Sequence, residues 1–149
     1  MRITRRLEFD AGHRIPHHDS RCRHVHGHRY AIEITLSGEI IAADGTAQQG
    51  MVMDFSKVKA IAQRHVVDKW DHAFLASRTD TPLLAFLESL PGHRTVIFDG
   101  PPTAELLAVS AFRILELEYH SEYGNNLRLE QVRVYETPNC WADAIRGEV

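Results

Sequence analysis

Cysteine is scarce in this sequence, since Cys22 and Cys140 are the only two in 149 residues. So few thiols exclude the multiple-disulfide framework that stabilises many small secreted proteins. One disulfide bond between them is possible, but two free thiols are expected in a reducing compartment. The sequence also lacks an N-terminal signal pattern and any apolar run long enough to span a membrane. We therefore expect a cytoplasmic protein with no membrane partner.

An excess of positive charge is absent as well. The formal net charge is -3 at pH 7 with neutral histidines, which provides no basic surface of the kind that binds nucleic acid. The length of 149 residues and the hydrophobic fraction of 44% suit a folded domain with a substantial core. We therefore expect a single domain over residues 1–149 and no nucleic-acid partner.

Histidine, by contrast, is concentrated in one short part of the chain. Six of the ten histidines lie between residues 13 and 28, which random placement on the surface would rarely produce. Histidine is the commonest metal ligand in proteins, so this clustering favours a metal site. The six are His13, His17, His18, His24, His26 and His28.

Two segments around this cluster have the alternation of a half-buried β-strand. In residues 2–13 the apolar side chains share one parity and His13 continues it, so they share one face. In residues 26–40, His26 and His28 have the same parity as the apolar residues that follow. The polar segment between them is predicted to be a loop. The pattern predicts a long antiparallel strand pair whose apolar face points inward.

The rest of the chain has helix and strand signals in a simple order. Asp54 is a predicted N-cap for a helix that ends near Asp68, and Thr103 for a helix that ends at Gly124. Short strands are predicted at 51–55, 94–98, 127–137 and 140–145, and a short helix at 81–92. The order is two strands, two main helices and two strands, with a minor insertion between the helices. It predicts an α+β fold with an antiparallel sheet.

The spacing of His26 and His28 has a definite meaning on a strand. Side chains at i and i+2 point to the same side of a strand, whereas on a helix they diverge. His13 ends the neighbouring strand on the same apolar face, so an antiparallel pairing can bring all three imidazoles together. Three protein nitrogens with a fourth position open form the ligand set of a catalytic zinc site.

Two other interpretations of the histidine cluster remain open. The imidazoles could be solvated side chains of a loop that binds nothing. Alternatively the site could be structural, which would require a fourth protein ligand such as the thiolate of Cys22. His17, His18 and His24 are predicted to face solvent rather than bind a metal.

Five short motifs in a fixed order are similar to those of one enzyme family. They are FDAGH, CRHVHGH, WDHAFL, PPTAE and VYETPN, within a match that extends from about residue 3 to residue 143. Any one motif is weak, but the ordered set is specific, and the sequence resembles the 6-pyruvoyltetrahydropterin synthase / 6-carboxytetrahydropterin synthase family. The resemblance implies the tunnelling fold (T-fold), a four-stranded antiparallel sheet with two main helices between the second and third strands. It also implies a homo-oligomer built from trimers, commonly a hexamer, in which the sheets close into a β-barrel and the active sites lie between subunits.

The resemblance implies roles for residues that have more ordinary interpretations. Taken alone, Cys22 would be an inert loop thiol and Glu136 a solvated glutamate at a strand end. Asp71 and His72 would be a helix-end aspartate and a surface histidine. The family pattern instead implies one Zn2+ per subunit on His13, His26 and His28, catalytic roles for Cys22, Asp71 and His72, a pterin anchor at Glu136 and a place beside the pterin pocket for Thr103.

The spacing between Cys22 and His26 resembles one branch of the family. The C-x3-H-G-H form is similar to bacterial 6-carboxytetrahydropterin synthases of queuosine (7-deazaguanine) biosynthesis, whereas animal pyruvoyltetrahydropterin synthases have five residues in that gap. A folate-pathway branch has glutamate in place of the cysteine. The implied reaction converts 7,8-dihydroneopterin triphosphate to 6-carboxy-5,6,7,8-tetrahydropterin, acetaldehyde and triphosphate.

Two alternative activities remain open, and one segment departs from the pattern of the family. The protein could be a 6-pyruvoyltetrahydropterin synthase, or a module that binds zinc and pterin without catalysis. Residues 79–100 look longer than the equivalent segment of the smallest family members, which leaves the connection between the helices uncertain. The implied chemistry does not depend on that segment.

Overall fold

The computed structural model describes all of residues 1–149. The elements in chain order are β1 (Arg2–His13), β2 (His26–Gly38), α1 (Phe55–Ala62), α2 (Asp68–Trp70), β3 (Ala73–Ser77), α3 (Thr81–Glu88), β4 (Thr95–Phe98), α4 (Ala104–Tyr123), β5 (Leu127–Thr137) and β6 (Cys140–Ile145). A single π-helical turn, Gln63–Val67, joins α1 to α2. Short 3-10 turns occupy Arg21–Arg23 and Gly124–Asn126.

The strand pair predicted from the alternating pattern is present. β1 has the predicted bounds, and β2 begins at His26 as predicted and ends at Gly38. The two strands pair antiparallel along their whole length, and the last pair is His13 opposite His26. The end of β1 therefore lies directly beside the start of β2.

The sheet has six strands in the order β4-β3-β1-β2-β5-β6. The strands β1, β2, β5 and β6 pair antiparallel, as predicted. β3 and β4 widen the sheet beside β1, and both run parallel to it. The α+β prediction is confirmed, but the sheet is wider than the four antiparallel strands that the resemblance implies. β3 was missed because all five of its residues are buried, so its sequence does not alternate.

The strand predicted at residues 51–55 is absent, and this part of the chain is a connecting segment that leads into α1. The segment folds back on itself, since Ile41 N–H donates to the Met51 carbonyl at 2.9 Å and Gly50 N–H to the Ile41 carbonyl at 2.9 Å. Gly50 has a φ of 81°, which glycine adopts without steric cost. Val52 is buried in the main core. The apolar residues therefore reflect packing of a loop rather than pairing of a strand.

The two main helices begin at the predicted caps. The Asp54 carboxylate accepts a hydrogen bond from a first-turn N–H at 2.7 Å, and Thr103 Oγ1 accepts one at 3.4 Å. The first helical segment continues through the π-helical turn and α2 to Trp70, slightly beyond its predicted end. α4 ends at Gly124, as predicted, and Gly124 has a positive φ of 58°. The local capping chemistry therefore determines where both helices start.

The predicted insertion between the two main helices contains a short helix and a short strand. Residues 79–100 include α3 and β4, both of which were predicted. Leu83 and Leu87 of α3 pack with Phe74 and Ala76 of β3 in a small second core. The insertion thus covers the added strands and leaves the four antiparallel strands unchanged.

The main core lies between the sheet and the helices α1 and α4. The buried hydroxyl of Tyr119 on α4 donates to the Val58 carbonyl of α1 at 2.7 Å, which ties the two helices together. The inward side chains of the sheet include Leu7, Phe9, Ile32, Ile34, Val132 and Val134. The opposite face is charged, with Arg133 paired to Asp143 at 2.6 and 2.8 Å. None of the helices combines the length and the apolar character that a membrane crossing needs.

Candidate active site

Three imidazoles meet where β1 ends and β2 begins. The strand register places His13 opposite His26, and His28 follows on the same face of β2. One nitrogen from each ring lies within 4.8 Å of the other two. The shortest approach joins His13 Nε2 to His26 Nε2 at 3.1 Å. The structure therefore brings together the three residues that the sequence singled out as metal ligands.

Two of the rings are oriented by backbone carbonyls. His13 Nδ1 donates to the Pro102 carbonyl at 2.8 Å, and His26 Nδ1 donates to the His24 carbonyl at 2.7 Å. A neutral imidazole that donates through Nδ1 has an unprotonated Nε2. The facing lone pairs of His13 and His26 repel each other unless a cation lies between them.

The third ring and the burial of the site also suit a metal ion. His28 Nε2 is buried and has no hydrogen-bond partner. Burial lowers the pKa of His13 and of His28, although the nearby Glu136 carboxylate opposes this shift. Neutral imidazoles are the form that binds metal. The donor set therefore fits a borderline-soft divalent ion such as Zn2+, for which His nitrogen is a usual ligand.

The glycine between the two histidines of β2 has a steric cause. A Cβ on Gly27 would lie 3.0 Å from the Ala11 carbonyl oxygen on β1. Its partner across the strand pair, Gly12, faces the Phe74 ring, which a Cβ would approach to 2.7 Å. The close approach of β1, β2 and β3 at this point requires small residues, so the H-G-H spacing also serves the packing of the sheet.

Glu136 lies beside the imidazoles at the end of β5. Its carboxylate oxygens are 3.7 Å from His28 Nε2 and 3.9 Å from His13 Nε2. The side chain is half-buried, and no N–H or O–H group of the chain donates a hydrogen bond to it. The carboxylate is thus free to accept hydrogen bonds from a ligand held next to the histidines.

Cys22 lies on the 3-10 turn of the loop that joins β1 to β2. Its side chain is half-buried, and its carbonyl accepts a hydrogen bond from Ile15 N–H at 2.8 Å. The group of converging ligand atoms does not include the Cys22 thiol. Burial raises the pKa of the Tyr30 hydroxyl, and the Glu136 and Cys22 charges add to that shift, which places both groups around the same buried ring. Cys140 is exposed, and both thiols are free.

Asp71 and His72 contact each other directly. His72 Nδ1 donates to Asp71 Oδ2 at 2.9 Å, and the other Asp71 oxygen accepts from Asp10 N–H at 2.9 Å. The Asp10 hydrogen bond is the main reason that the pKa of Asp71 is lowered. His72 has a φ of 55°, which a non-glycine residue adopts only under tertiary constraint. This backbone conformation lets two consecutive side chains form one dyad.

The dyad is separate from the other candidate catalytic groups within one chain. No hydrogen bond or ion pair joins Asp71 or His72 to Cys22 or to the three imidazoles. His72 and His28 do line the same shallow depression, whose volume is about 580 Å³. Any direct cooperation between the dyad and Cys22 would therefore require a further component, such as a neighbouring subunit.

Thr103 is adjacent to the carbonyl that orients His13. It caps α4 through its hydroxyl oxygen, and its N–H donates to the Pro101 carbonyl at 2.8 Å. The carbonyl of Pro102, the residue before Thr103, accepts the hydrogen bond from His13 Nδ1. The PPTAE motif thus joins the start of α4 to the three-histidine cluster. The implied contact of Thr103 with substrate stays a prediction.

Sequence reasoning missed several groups that hold the site together. The Pro102 and His24 carbonyls orient two ligands, and no residue-type pattern reveals a backbone acceptor. Asp80 is 3% exposed and forms a bidentate ion pair with Arg14 at 2.5 Å, which anchors the residue after His13. Only the position of Asp80 directly before a predicted helix hinted at a structural role.

The fold and the site define a class: an α+β protein in which three histidines on two antiparallel strands converge at a candidate metal site. A family model described as 6-pyruvoyl tetrahydropterin synthase matches residues 2–146. The chain therefore belongs to the 6-pyruvoyl tetrahydropterin synthase family, which confirms the resemblance of its motifs.

Similar proteins of known name include several from bacteria. The chain is 35% identical over 143 residues to the 6-carboxy-5,6,7,8-tetrahydropterin synthase of Rickettsia felis, covering 96% of this chain and 99% of that protein. It is 30% identical over 146 residues to the protein of the same name from Haemophilus influenzae, covering 96% and 97%. These relatives match along nearly their whole length.

Solved structures confirm the T-fold. An uncharacterised protein from Wolinella succinogenes superposes with a TM-score of 0.77 at 21% identity, covering 98% of both chains. The 6-pyruvoyl tetrahydropterin synthase of Plasmodium vivax gives a TM-score of 0.71 at 20% identity, covering 98% of both chains. The Caenorhabditis elegans enzyme gives 0.64 at 24% identity, covering 97% of this chain and 94% of that one. At these identities the likeness concerns the fold alone.

Proposed function

We propose that this protein is a zinc-dependent lyase, a 6-carboxy-5,6,7,8-tetrahydropterin synthase of queuosine (7-deazaguanine) biosynthesis. It converts 7,8-dihydroneopterin triphosphate and one water molecule to 6-carboxy-5,6,7,8-tetrahydropterin, acetaldehyde and triphosphate. The names of relatives that match along nearly the whole chain support this activity. The observation that carries the proposal is the convergence of three imidazole nitrogens beside a carboxylate that lacks a donor.

In this proposal His13, His26 and His28 hold one zinc ion per subunit. When bound, zinc supplies a Lewis acid that acidifies positions next to the hydroxyl groups of the substrate side chain. The carbonyls of Pro102 and His24 keep the unprotonated Nε2 atoms of His13 and His26 aimed at the shared centre.

Glu136 anchors the pterin ring in this proposal. The amino group and ring N–H of a pterin form a pair of donors that matches the two oxygens of a carboxylate. The Glu136 oxygens lie 3.7 and 3.9 Å from His28 and His13, so a ring held by this carboxylate lies beside the imidazoles. The anchor thus sets which carbons of the substrate side chain reach the reactive groups.

Cys22 acts as the general base that removes a proton from the substrate side chain. A thiolate near a cationic centre becomes available near neutral pH. The Asp71–His72 dyad relays the proton, with Asp71 holding the imidazole through Nδ1 and leaving Nε2 for exchange. Since the dyad makes no contact with Cys22 in its own chain, we assign it to the site of a neighbouring subunit in a trimer-based homo-oligomer.

A second candidate is a 6-pyruvoyltetrahydropterin synthase, the name carried by two of the similar solved structures. The three-residue gap between Cys22 and His26 favours the carboxy product instead. Incubation with 7,8-dihydroneopterin triphosphate followed by mass analysis of the products separates the two. We expect acetaldehyde and the carboxy compound. A pyruvoyl product that retains all side-chain carbons would overturn the proposal in favour of the second candidate.

A further inference from the structure

Two exposed guanidinium groups flank the candidate catalytic thiol. Arg21 and Arg23 are the neighbours of Cys22 on the 3-10 turn Arg21–Arg23. Both are exposed, and neither forms an ion pair or a side-chain hydrogen bond within the chain. Their positive charge is therefore available to a ligand.

Arg14, Arg29 and Arg94, by contrast, are already engaged within the chain. Arg14 is held by the buried Asp80, and Arg29 donates two hydrogen bonds of 3.0 Å to Asp10. Arg94 donates to the Asp68 carbonyl at 2.5 Å. A strongly anionic ligand would have to compete there with a carboxylate or a carbonyl for the guanidinium group, whereas Arg21 and Arg23 have no such partner.

The turn that carries the two arginines is held in place by its own hydrogen bonds. Arg23 N–H donates to the Ser20 carbonyl at 3.2 Å, and His24 N–H donates to the Arg21 carbonyl at 3.0 Å. The Cys22 carbonyl accepts from Ile15 N–H at 2.8 Å. Because the backbone is fixed, binding does not require the whole loop to become ordered, which would otherwise reduce affinity.

The turn that carries Arg21 and Arg23 lies close to His26 along the chain, whereas Glu136 lies beside the other two imidazoles. Glu136 lies beside His28 and His13, so a ring anchored on its carboxylate starts at that side of the histidines. His26 is bound to the His24 carbonyl, and His24 directly follows Arg23. A substrate that is anchored on Glu136 and extends past His26 therefore approaches the loop that carries this turn.

We propose that Arg21 and Arg23 form the subsite for the triphosphate group of the substrate. This inference rests on the proposed function and adds to it the residues that bind the anionic end. A triphosphate presents several charged oxygens that are strong acceptors, and guanidinium groups match them in bidentate geometry. The same turn then holds both the Cys22 thiol and the triphosphate leaving group. In this arrangement Cys22 lies between the pterin ring and the phosphates.

The test is equilibrium binding of two pterins to the zinc-loaded Cys22→Ala protein, which binds without turnover. The ligands are 7,8-dihydroneopterin triphosphate and unphosphorylated 7,8-dihydroneopterin. We expect the triphosphate to bind more tightly. Adding Arg21→Gln and Arg23→Gln should weaken triphosphate binding by about 100-fold, roughly tenfold for each lost charged contact. Binding of the unphosphorylated pterin should stay within about twofold.

A matched control removes two other exposed and unpaired arginines. Arg64→Gln and Arg113→Gln on the helices change the net charge equally and should leave both affinities unchanged. If the turn variant keeps the full preference for the triphosphate, or loses affinity for both pterins equally, the subsite is wrong. Equal binding of both pterins by the Cys22→Ala protein would also overturn it. Binding of neither pterin would instead contradict the proposed function.

Discussion

His13 Nε2 and His26 Nε2 face each other at 3.1 Å while each ring donates through Nδ1 to a backbone carbonyl. In two neutral rings that donate through Nδ1, neither Nε2 carries a proton to donate along this line, so the close approach favours a cation or an additional proton between them. The two rings meet because the register of β1 and β2 places His13 opposite His26.

Replacing His26 by alanine should remove the metal and leave the fold largely intact. His26 is half-buried at a strand end, so the free energy of unfolding of the metal-free protein should change by less than about 1 kcal/mol. Zinc per chain, measured by inductively coupled plasma mass spectrometry, should fall to near zero together with activity. His17→Ala changes an exposed imidazole of the neighbouring loop and should alter neither. Full zinc content in His26→Ala would contradict the assignment.

Cys22→Ala should keep zinc and lose turnover. The thiol is not part of the converging group of ligand atoms, so its removal leaves the three imidazoles in place. Loss of a general base reduces the turnover number by about 10²- to 10⁴-fold. Cys140→Ala removes the other free thiol, which is exposed, and should have no effect. Departure of zinc with the Cys22 thiol would make it a ligand and refute its assignment as the base.

Glu136→Gln should weaken binding of the pterin. The amide retains the shape of the side chain but replaces one acceptor oxygen and removes the negative charge. We expect KM to rise by about 10- to 100-fold, the range for a lost charged hydrogen bond. Steady-state kinetics check this result, with Glu39→Gln, an exposed and unpaired glutamate, as the control. Unchanged KM and kcat would show that Glu136 does not anchor the ring.

The Arg14–Asp80 pair should make stability dependent on acid. The Arg14 guanidinium lowers the pKa of Asp80 below its ordinary value of 3.8. A lowered pKa means that the pair stabilises the fold above about pH 3.8 and that this contribution is lost as the pH falls further. Asp80→Asn should therefore cost about 1.5–3 kcal/mol in free energy of unfolding at pH 7, because the partly exposed Arg14 loses its charged hydrogen-bond partner.

Urea unfolding of the metal-free protein, followed by tryptophan fluorescence, measures this cost at several pH values. The difference between Asp80→Asn and the unchanged protein should narrow below pH 3.8 as Asp80 itself becomes protonated. Asp99→Asn breaks the exposed Arg78–Asp99 pair and should cost less than about 1 kcal/mol at any pH. An equal cost in both variants would show that burial of Asp80 is unimportant.

The convergence of the three candidate metal ligands could be predicted from the sequence because strand parity is a local property. The alternation that follows His28 indicates a strand, and the i, i+2 spacing then places His26 on the same face. The caps at Asp54 and Thr103 were predictable for the same reason, since each depends on a few neighbouring residues.

Other parts of the structure depend on contacts between distant segments. β3 is a short run buried on every side, and such runs do not alternate. The carbonyl of Pro102 reaches His13 only because the start of α4 lies over the end of β1. The buried Asp80 gains its role from Arg14, which is remote in sequence. Neither pairing leaves a periodic signal, so the sequence alone could not reveal them.

Metal removal tests the central claim most directly. The purified protein should contain about one zinc per chain, the stoichiometry of a mononuclear site with three histidines. Chelation should abolish conversion of 7,8-dihydroneopterin triphosphate, and added zinc should restore it, with metal content measured in each sample. Undiminished turnover by protein shown to contain no metal would contradict the account.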